Sequence, residues 1–98
     1  MNDGTCGIYI LTNPVNSVLY VGMSTDIAGR IWTHKEKIVD GFAKKYNCTK
    51  LVYYEAAPDK LSALEREKQI KKYSRFKKEQ LVISTNPSWN DLSNEMGL

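Results

Sequence analysis

Apolar, β-branched and aromatic residues form two short runs near the start of the chain. The first extends from Cys6 to Thr12 and the second from Val18 to Ser24. The segment between them, Asn13 to Ser17, is rich in residues that favour turns. This pattern predicts a β-hairpin.

The predicted hairpin also determines which side chains share a face of the sheet. Opposing residues of an antiparallel pair have position numbers with a constant sum, and successive residues of a strand point to opposite faces. If Asn13 faces Val18, then Tyr9 faces Gly22. In this register Tyr20 lies on the same face as Tyr9, so the two tyrosines share one surface.

A first helix is predicted after the hairpin, from Asp26 to about Glu36. Ser24 or Thr25 would serve as its N-cap, and its acidic first turn suits the helix dipole. Ile27 and Ile31 form its apolar stripe, because residues four apart lie on one face of a helix.

Two polar residues of this helix are predicted to lie beside the apolar stripe. Arg30 follows Ile27 by three residues, His34 follows Ile31 by three, and the two polar residues are themselves four apart. One interpretation is structural: Arg30 packs its stem along the edge of the core and His34 bonds a backbone acceptor. The other interpretation is that both belong to a functional site.

The rest of the chain predicts one more strand and two more helices. A polar loop containing Asp40-Gly41 and Asn47 leads to a strand from Lys50 to Glu55, followed by helices from Lys60 to Tyr73 and from Arg75 to Ile83. The predicted order is ββαβαα. It indicates an α+β fold, with a small three-stranded antiparallel sheet flanked by helices.

Glu67 is a candidate functional residue by its helical spacing alone. It lies four residues after Ala63 and three before Ile70, among the apolar positions, whereas Glu65 points to the charged side of the helix. A carboxylate held against the core is costly unless it is paired or coordinated. The structural alternative is a salt bridge between Glu67 and Arg30.

Length and composition predict one compact domain over residues 1–98, with a core from about residue 6 to residue 92. The 98 residues are 42% hydrophobic and 26% charged, and no segment approaches the ~20 apolar residues that span a bilayer. The first five residues lack the features of a secretory signal, so we expect a cytoplasmic protein without a membrane partner. Cys6 and Cys48 are expected to be free thiols.

Basic residues are concentrated in the last two predicted helices. The net charge is only +3, but eight lysines and arginines lie between Lys60 and Lys78, against two glutamates. Such a cluster can neutralise phosphates, although lysines on a helix surface often serve only solubility. The nucleic-acid-binding candidates are Lys68, Lys71, Lys72, Arg75, Lys77 and Lys78.

Two tripeptides in the hairpin, Gly7-Ile8-Tyr9 and Tyr20-Val21-Gly22, carry a family resemblance. Together with residues that follow at fitting distances, they resemble the GIY-YIG nuclease superfamily, in the form of small single-domain proteins similar to the nuclease domain of the excinuclease ABC repair enzyme. The resemblance extends from Gly7 to Asn86. By position, the matching residues are Gly7, Tyr9, Tyr20, Gly22, Arg30, His34, Glu67 and Asn86.

The resemblance implies a metal-dependent endonuclease that hydrolyses DNA phosphodiester bonds, in DNA repair or recombination. Glu67 would hold one Mg²⁺ or Mn²⁺, and Arg30 would contact the non-bridging phosphate oxygens. Tyr9 is the preferred general base, made more acidic by nearby positive charge, with Tyr20 positioning the water. His34 would orient a tyrosine or share its proton.

Three further points follow from the resemblance. Asn86 joins the catalytic set, and Gly7 and Gly22 would let backbone approach the site closely. The roles of the two tyrosines can be reversed. Met23 stands where the repair-nuclease relatives carry a lysine that could assist the tyrosine, so the resemblance does not supply that means of activating the base.

Two alternative functions fit the same residues. One is a nucleic-acid-binding module on this fold with weak or absent catalysis, and the other is a protein-interaction module that docks its basic helix on an acidic partner. A single carboxylate and a mild net charge imply weak intrinsic affinity for metal and DNA. We therefore expect DNA as the main partner, with a protein partner as a further means of targeting.

Overall fold

A three-stranded antiparallel sheet forms the centre of the protein. The computed structural model describes residues 5–36 and 41–96, so residues 1–4 and the predicted loop residue Asp40 lie outside the described part. The strands are β1 (Gly7–Thr12), β2 (Leu19–Ser24) and β3 (Lys50–Ala56), arranged in the order β2-β1-β3. Both outer strands pair antiparallel with β1. The predicted α+β fold is confirmed.

The register of the hairpin is the predicted one. Tyr9 faces Gly22 and Leu11 faces Tyr20 across β1 and β2. Both tyrosines therefore point to the same face of the sheet. Among the described strands β2 pairs with β1 alone, so β2 lies at the edge of this three-stranded sheet.

Helices cover both faces of the sheet. Ile8, Ile10 and other residues of one face pack against Ile70 and Val82, while Tyr9 and Leu11 on the other face pack in a cluster that contains Ile27 and Ile31. The main elements follow the predicted order ββαβαα, with two additional short helices. The helices are α1 (Ile27–Lys35), α2 (Phe42–Lys45), α3 (Lys60–Lys71), α4 (Arg75–Thr85) and a final 3₁₀-helix (Leu92–Met96).

The start of α1 differs from the prediction. Asp26 is the N-cap, and its carboxylate accepts a hydrogen bond from the Gly29 N–H at 3.1 Å. The predicted cap Ser24 instead bonds the backbone of Asp26, with its hydroxyl oxygen 2.9 Å from the Asp26 nitrogen. The prediction of an acidic first turn is thus wrong, because Asp26 precedes the helix as its N-cap.

The predicted polar loop contains the one-turn helix α2. Ala43 is buried and joins the cluster around Ile27, and so does Cys48, which the sequence placed in a polar loop. Burial of these two side chains fixes the local backbone. Cys48 and Cys6 are both free thiols, as predicted.

Side chains from the C-terminal segment bond the backbone of β3 where its register with β1 is irregular. Between Ile10 and Leu11 the pairing with β3 shifts by one residue. At this point the Asn86 side-chain amide donates to the Val52 carbonyl at 3.0 Å, and Asp91 accepts from the Leu51 N–H at 3.2 Å. The two side chains therefore satisfy backbone groups of the edge strand.

Among the described residues, no helix combines the length and the apolar character needed to cross a membrane.

Candidate active site

The centre of the candidate site is a hydrogen bond between Tyr9 and His34. The phenol oxygen of Tyr9 on β1 lies 3.2 Å from Nε2 of His34 on α1. Both side chains are buried, with exposed fractions of 2% and 6%. This partner replaces the backbone acceptor that the structural interpretation assigned to His34.

Gly22 makes room for the Tyr9 ring. An added Cβ at position 22 would lie 2.5 Å from the phenol oxygen of Tyr9 and 2.6 Å from its Cζ. The ring therefore crosses over β2 and brings its hydroxyl toward the edge of the sheet. The space at Gly22 serves this ring rather than the backbone of a substrate.

Gly7 serves strand pairing instead of the site. A Cβ at this position would collide with the backbone carbonyl of Glu55 on β3. The backbone that approaches Gly7 is that of the protein's own third strand.

Tyr20 completes a cluster of three rings. Its centroid lies 6.4 Å from that of Tyr9 and 5.6 Å from that of His34, the latter edge to face. Tyr20 is half-buried, whereas Tyr9 is covered. The three rings thus present one partly accessible phenol and one inner phenol bonded to imidazole.

Arg30 is exposed beside this cluster. Its charge lowers the pKa of His34 and opposes the rise in the pKa of Tyr9, so the guanidinium acts electrostatically on both. It lies in an open cleft of about 400 Å³ at the start of α1. The lining residues are Ser24, Thr25, Asp26, Gly29, Arg30 and Thr33.

Glu67 faces inward on α3, as its spacing predicted. Its side chain is 16% exposed, whereas Glu65 is exposed. The alternative prediction of a salt bridge between Glu67 and Arg30 is wrong. The Glu67 carboxylate instead lies 3.4 Å from Nζ of Lys71, one helical turn away. Its charge contributes to raising the pKa of Tyr9, which links α3 electrostatically to the ring cluster from the other side of the sheet.

Tyr9 is less acidic than the sequence predicted. Burial is the main cause that raises the pKa of Tyr9 well above its ordinary value, and the phenol of Tyr20 and the charge of Glu67 add to it. Arg30 lowers this pKa, but its effect is smaller than that of burial. The prediction that nearby positive charge makes Tyr9 more acidic is therefore wrong for the protein alone.

The surroundings of His34 favour its neutral form. Burial and then the positive charge of Arg30 lower the pKa of His34 below its ordinary value of 6.5. A neutral imidazole has one unprotonated nitrogen. With Nε2 in that form, Tyr9 donates its hydroxyl proton to His34.

Glu67 is suited to bind a divalent metal whose other ligands are water and substrate phosphate. Residues 5–36 and 41–96 contain no group of three or more histidine, cysteine, aspartate or glutamate side chains that could hold a metal ion. Mg²⁺ is commonly bound by one or two carboxylates, with water and substrate phosphates as its other ligands. A single inward carboxylate agrees with that mode of binding.

Asn86 is not brought into the ring cluster. Its amide nitrogen donates to the carbonyls of Val52 and Asn90, and its amide oxygen accepts from the Asn90 N–H. With an exposed fraction of 4%, it is buried at the end of α4. These contacts indicate a residue that fixes the C-terminal segment, and its predicted catalytic role gains no support from them.

The predicted basic cluster is only partly available for DNA. Arg75 is engaged, because its guanidinium donates to the carbonyls of Asn16 and Ser17 and pairs with Glu79. It therefore ties α4 to the hairpin turn. The lysines Lys68, Lys71, Lys72 and Lys77 are exposed, as is Arg75 despite its contacts, whereas Lys78 is half-buried.

Two residues beside the site were missed by the sequence analysis. Phe42 stacks on Tyr20, with centroids 6.0 Å apart and an interplanar angle of 21°, and Tyr46 lies 4.6 Å from Phe42. The signal was their spacing of four residues, which places them on one face of a helix. It was hidden because the segment around them was interpreted as a loop.

A second missed feature positions α3. Arg66 donates to both carboxylate oxygens of Glu55 on β3, at 2.6 and 3.1 Å. The Tyr53 hydroxyl also donates to Glu55. This bidentate ion pair attaches α3 to the sheet next to Glu67.

Comparisons with known proteins agree with this geometry. A family model described as the GIY-YIG catalytic domain matches residues 5–80. The chain is similar to a UPF0213 protein of Yersinia pestis (strain Pestoides F) and to one of Yersinia pseudotuberculosis serotype O:1b (strain IP 31758), at 34% identity over 84 residues. Each alignment covers 85% of this chain and 86% of the relative. No solved structure matches.

Proposed function

The chain belongs to the GIY-YIG domain family, and from this premise we propose that it is a divalent-metal-dependent endonuclease that hydrolyses DNA phosphodiester bonds. A nuclease-type function follows from the family itself. DNA as the substrate and the need for metal belong to the proposal. The resemblance to the excinuclease ABC repair enzyme supports a place in DNA repair or recombination.

The observation that carries the proposal is the Tyr9–His34 hydrogen bond, with Arg30 and Glu67 acting on the same phenol. A buried tyrosine bonded to a neutral histidine is a proton-transfer pair. A module that only binds nucleic acid has no need for it. A module that only docks a protein has no need for an inward carboxylate whose charge acts on Tyr9.

The arrangement suggests how the proton of the attacking water is removed. Because burial opposes a phenolate at Tyr9, we propose that Tyr9 takes the proton of the water while passing its own proton to Nε2 of His34. The positive charge then resides on the imidazole. Tyr20, half-buried at the outer side of the cluster, would orient the water.

The remaining groups act on the phosphate. Arg30 would bind its non-bridging oxygens through a permanently charged, exposed guanidinium. Glu67 would hold Mg²⁺ or Mn²⁺, which when bound stabilises negative charge on the phosphate and on the departing oxygen. Lys71, which pairs with Glu67 in the protein alone, is exposed and free to move to a phosphate.

The test compares two glutamates on the same helix. Wild-type protein, Glu67→Gln and Glu65→Gln are incubated with single-stranded, duplex, flap and branched DNA and with RNA, in Mg²⁺, Mn²⁺ or chelator. We expect divalent-dependent cleavage of at least one DNA by wild type and by Glu65→Gln, and none by Glu67→Gln. Binding without cleavage by wild type would leave the nucleic-acid-binding module, and equal cleavage by all three proteins would indicate a contaminating nuclease.

A further inference from the structure

A row of three aromatic rings leads from the candidate site to the surface. Tyr20 contacts His34 on its inner side and stacks on Phe42 on its outer side, and Phe42 contacts Tyr46. Phe42 is 48% exposed and Tyr46 is 42% exposed. We call the pair Phe42 and Tyr46 the aromatic shelf.

The shelf is a feature of α2 and its C-cap. Ala43 is directed into the core, whereas Phe42, Lys45 and Tyr46 lie at relative positions i, i+3 and i+4 and so share the outer face. Phe42 and Tyr46 are exposed, so they contribute little to the hydrophobic core. Adjacent exposed aromatic residues indicate a binding surface.

The charge beside the shelf indicates the chemistry of its ligand. Nζ of Lys45 lies 5.4 Å from the centroid of the Tyr46 ring, and the exposed guanidinium of Arg30 acts on the cluster at the other end of the row. Aromatic faces with nearby cations are the combination that binds single-stranded nucleic acid, because bases stack on the rings and the cations contact the backbone. A flat apolar protein partner would not require the cations.

We propose that the aromatic shelf stacks an unpaired nucleobase of the DNA substrate, next to the phosphate that is cleaved. This rests on the proposed function, since Tyr20 connects the shelf to the ring cluster that contains Tyr9. A base inside a duplex is already stacked on its neighbours, so its face is not available to a protein ring. The shelf therefore selects DNA in which the nucleotide beside the cut is unpaired: a single strand, a flap or a loop.

The test measures binding apart from cleavage. All proteins carry Glu67→Gln, so that they bind DNA without cleaving it. The parent protein carries this change alone, and the double leucine variant carries Phe42→Leu and Tyr46→Leu in addition. The affinity of each for a single-stranded oligonucleotide is measured in Mg²⁺. Leucine keeps the apolar contact with Tyr20 but removes the aromatic face. We expect the double leucine variant to bind about tenfold more weakly. Phe76→Leu is the matched control, because Phe76 is 68% exposed on α4, across the sheet, and we expect its affinity to stay within about twofold.

A second measurement identifies the base. Single abasic positions are moved along the oligonucleotide, and removal of the stacked base should weaken binding to the parent protein but not to the double leucine variant. Three results would each overturn the proposal for the shelf. Parent and variant could bind with equal affinity, no abasic position could have an effect, or the oligonucleotide could fail to bind. A variant that loses self-association while its DNA affinity is unchanged would also overturn it, since the patch would then be a protein interface.

The outcome also separates this inference from the proposed function. If wild type cleaves no DNA but binding depends on the shelf and on one base, the shelf stands and the endonuclease proposal fails. If wild type cleaves DNA and the leucine variants bind and cleave equally well, the endonuclease stands and the shelf fails.

Discussion

Tyr9 and Gly22 face each other across the β-hairpin, and the phenol of Tyr9 occupies the volume that any side chain at position 22 would need. The ring can therefore reach Nε2 of His34 only because residue 22 is glycine. Two motif residues that are 13 positions apart in the sequence thus act as one structural unit.

Gly22→Ala should displace the Tyr9 ring and break its bond to His34. Overpacking of a buried site costs about 1–3 kcal/mol of unfolding free energy, which lowers Tm by about 4–8 °C per kcal/mol in a domain of this size. A misplaced catalytic group also lowers the cleavage rate, by about 10²-fold. Thermal melts and cleavage assays on the same preparation check both effects.

Gly7→Ala is the informative comparison. Its Cβ meets the Glu55 backbone, so it should lower Tm while the fraction that remains folded keeps the His34 resonances of the wild type. Wild-type cleavage by Gly22→Ala at an unchanged Tm would mean that the position of Tyr9 is not needed for the reaction.

Arg30→Ala should separate chemistry from binding and from stability. The side chain is exposed and forms no ion pair with Glu67, so Tm should stay within about 2 °C of wild type. The loss of one preorganised charge in the transition state should reduce the cleavage rate by about 10²-fold, with DNA affinity within a few-fold. Single-turnover kinetics and DNA titrations measure the two quantities, and a Tm lower by many degrees would instead indicate a structural arginine.

The pH dependence of stability should report His34. Its pKa is lower in the folded protein than in the unfolded chain, where it is near 6.5. The unfolded state therefore binds more protons as the pH falls below 6.5, so this contribution to stability is complete above pH 6.5 and is lost as the pH falls toward the folded pKa. Denaturant unfolding between pH 8 and pH 5 should show the loss.

His34→Gln should remove this part of the pH dependence, and Arg30→Ala should reduce it, because Arg30 is one cause of the lowered pKa. The chain has a single histidine, so one imidazole signal in an NMR titration follows the site directly. A folded pKa above 6.5 would contradict the lowering of the pKa of His34 by burial and by Arg30.

The lysines of the basic cluster should set the salt dependence of DNA binding. Replacement of Lys68, Lys72, Lys77 and Lys78 by glutamine leaves Lys71 with its partner Glu67. The slope of log affinity against log salt should fall by about 0.7 per lost phosphate contact for single strands and about 0.9 for duplex DNA. An unchanged slope would assign these lysines to solubility.

Arg75→Ala is the contrasting variant for this cluster. Its guanidinium holds the hairpin turn through the carbonyls of Asn16 and Ser17. It should therefore lower Tm and leave the salt slope unchanged.

Period and spacing alone determined the local features of this protein. With Asn13 opposite Val18, the pairing of Tyr9 with Gly22 follows from the constant sum of an antiparallel register. The inward direction of Glu67 against the outward direction of Glu65 follows from 3.6 residues per helical turn. Both predictions are confirmed because they depend only on the backbone geometry of one hairpin and of one helix.

Only the tertiary structure decided which distant side chains meet. Tyr9 and His34 are 25 positions apart, and their bond exists because α1 packs on the face of the sheet that Gly22 leaves open. The same packing buries Tyr9 and raises its pKa, which no local pattern records because burial depends on every element around a residue. In the sequence, Arg75 could not be distinguished from its lysine neighbours. Its partners are the carbonyls of Asn16 and Ser17 in the hairpin turn, and a contact between residues so far apart leaves no periodic pattern in the sequence.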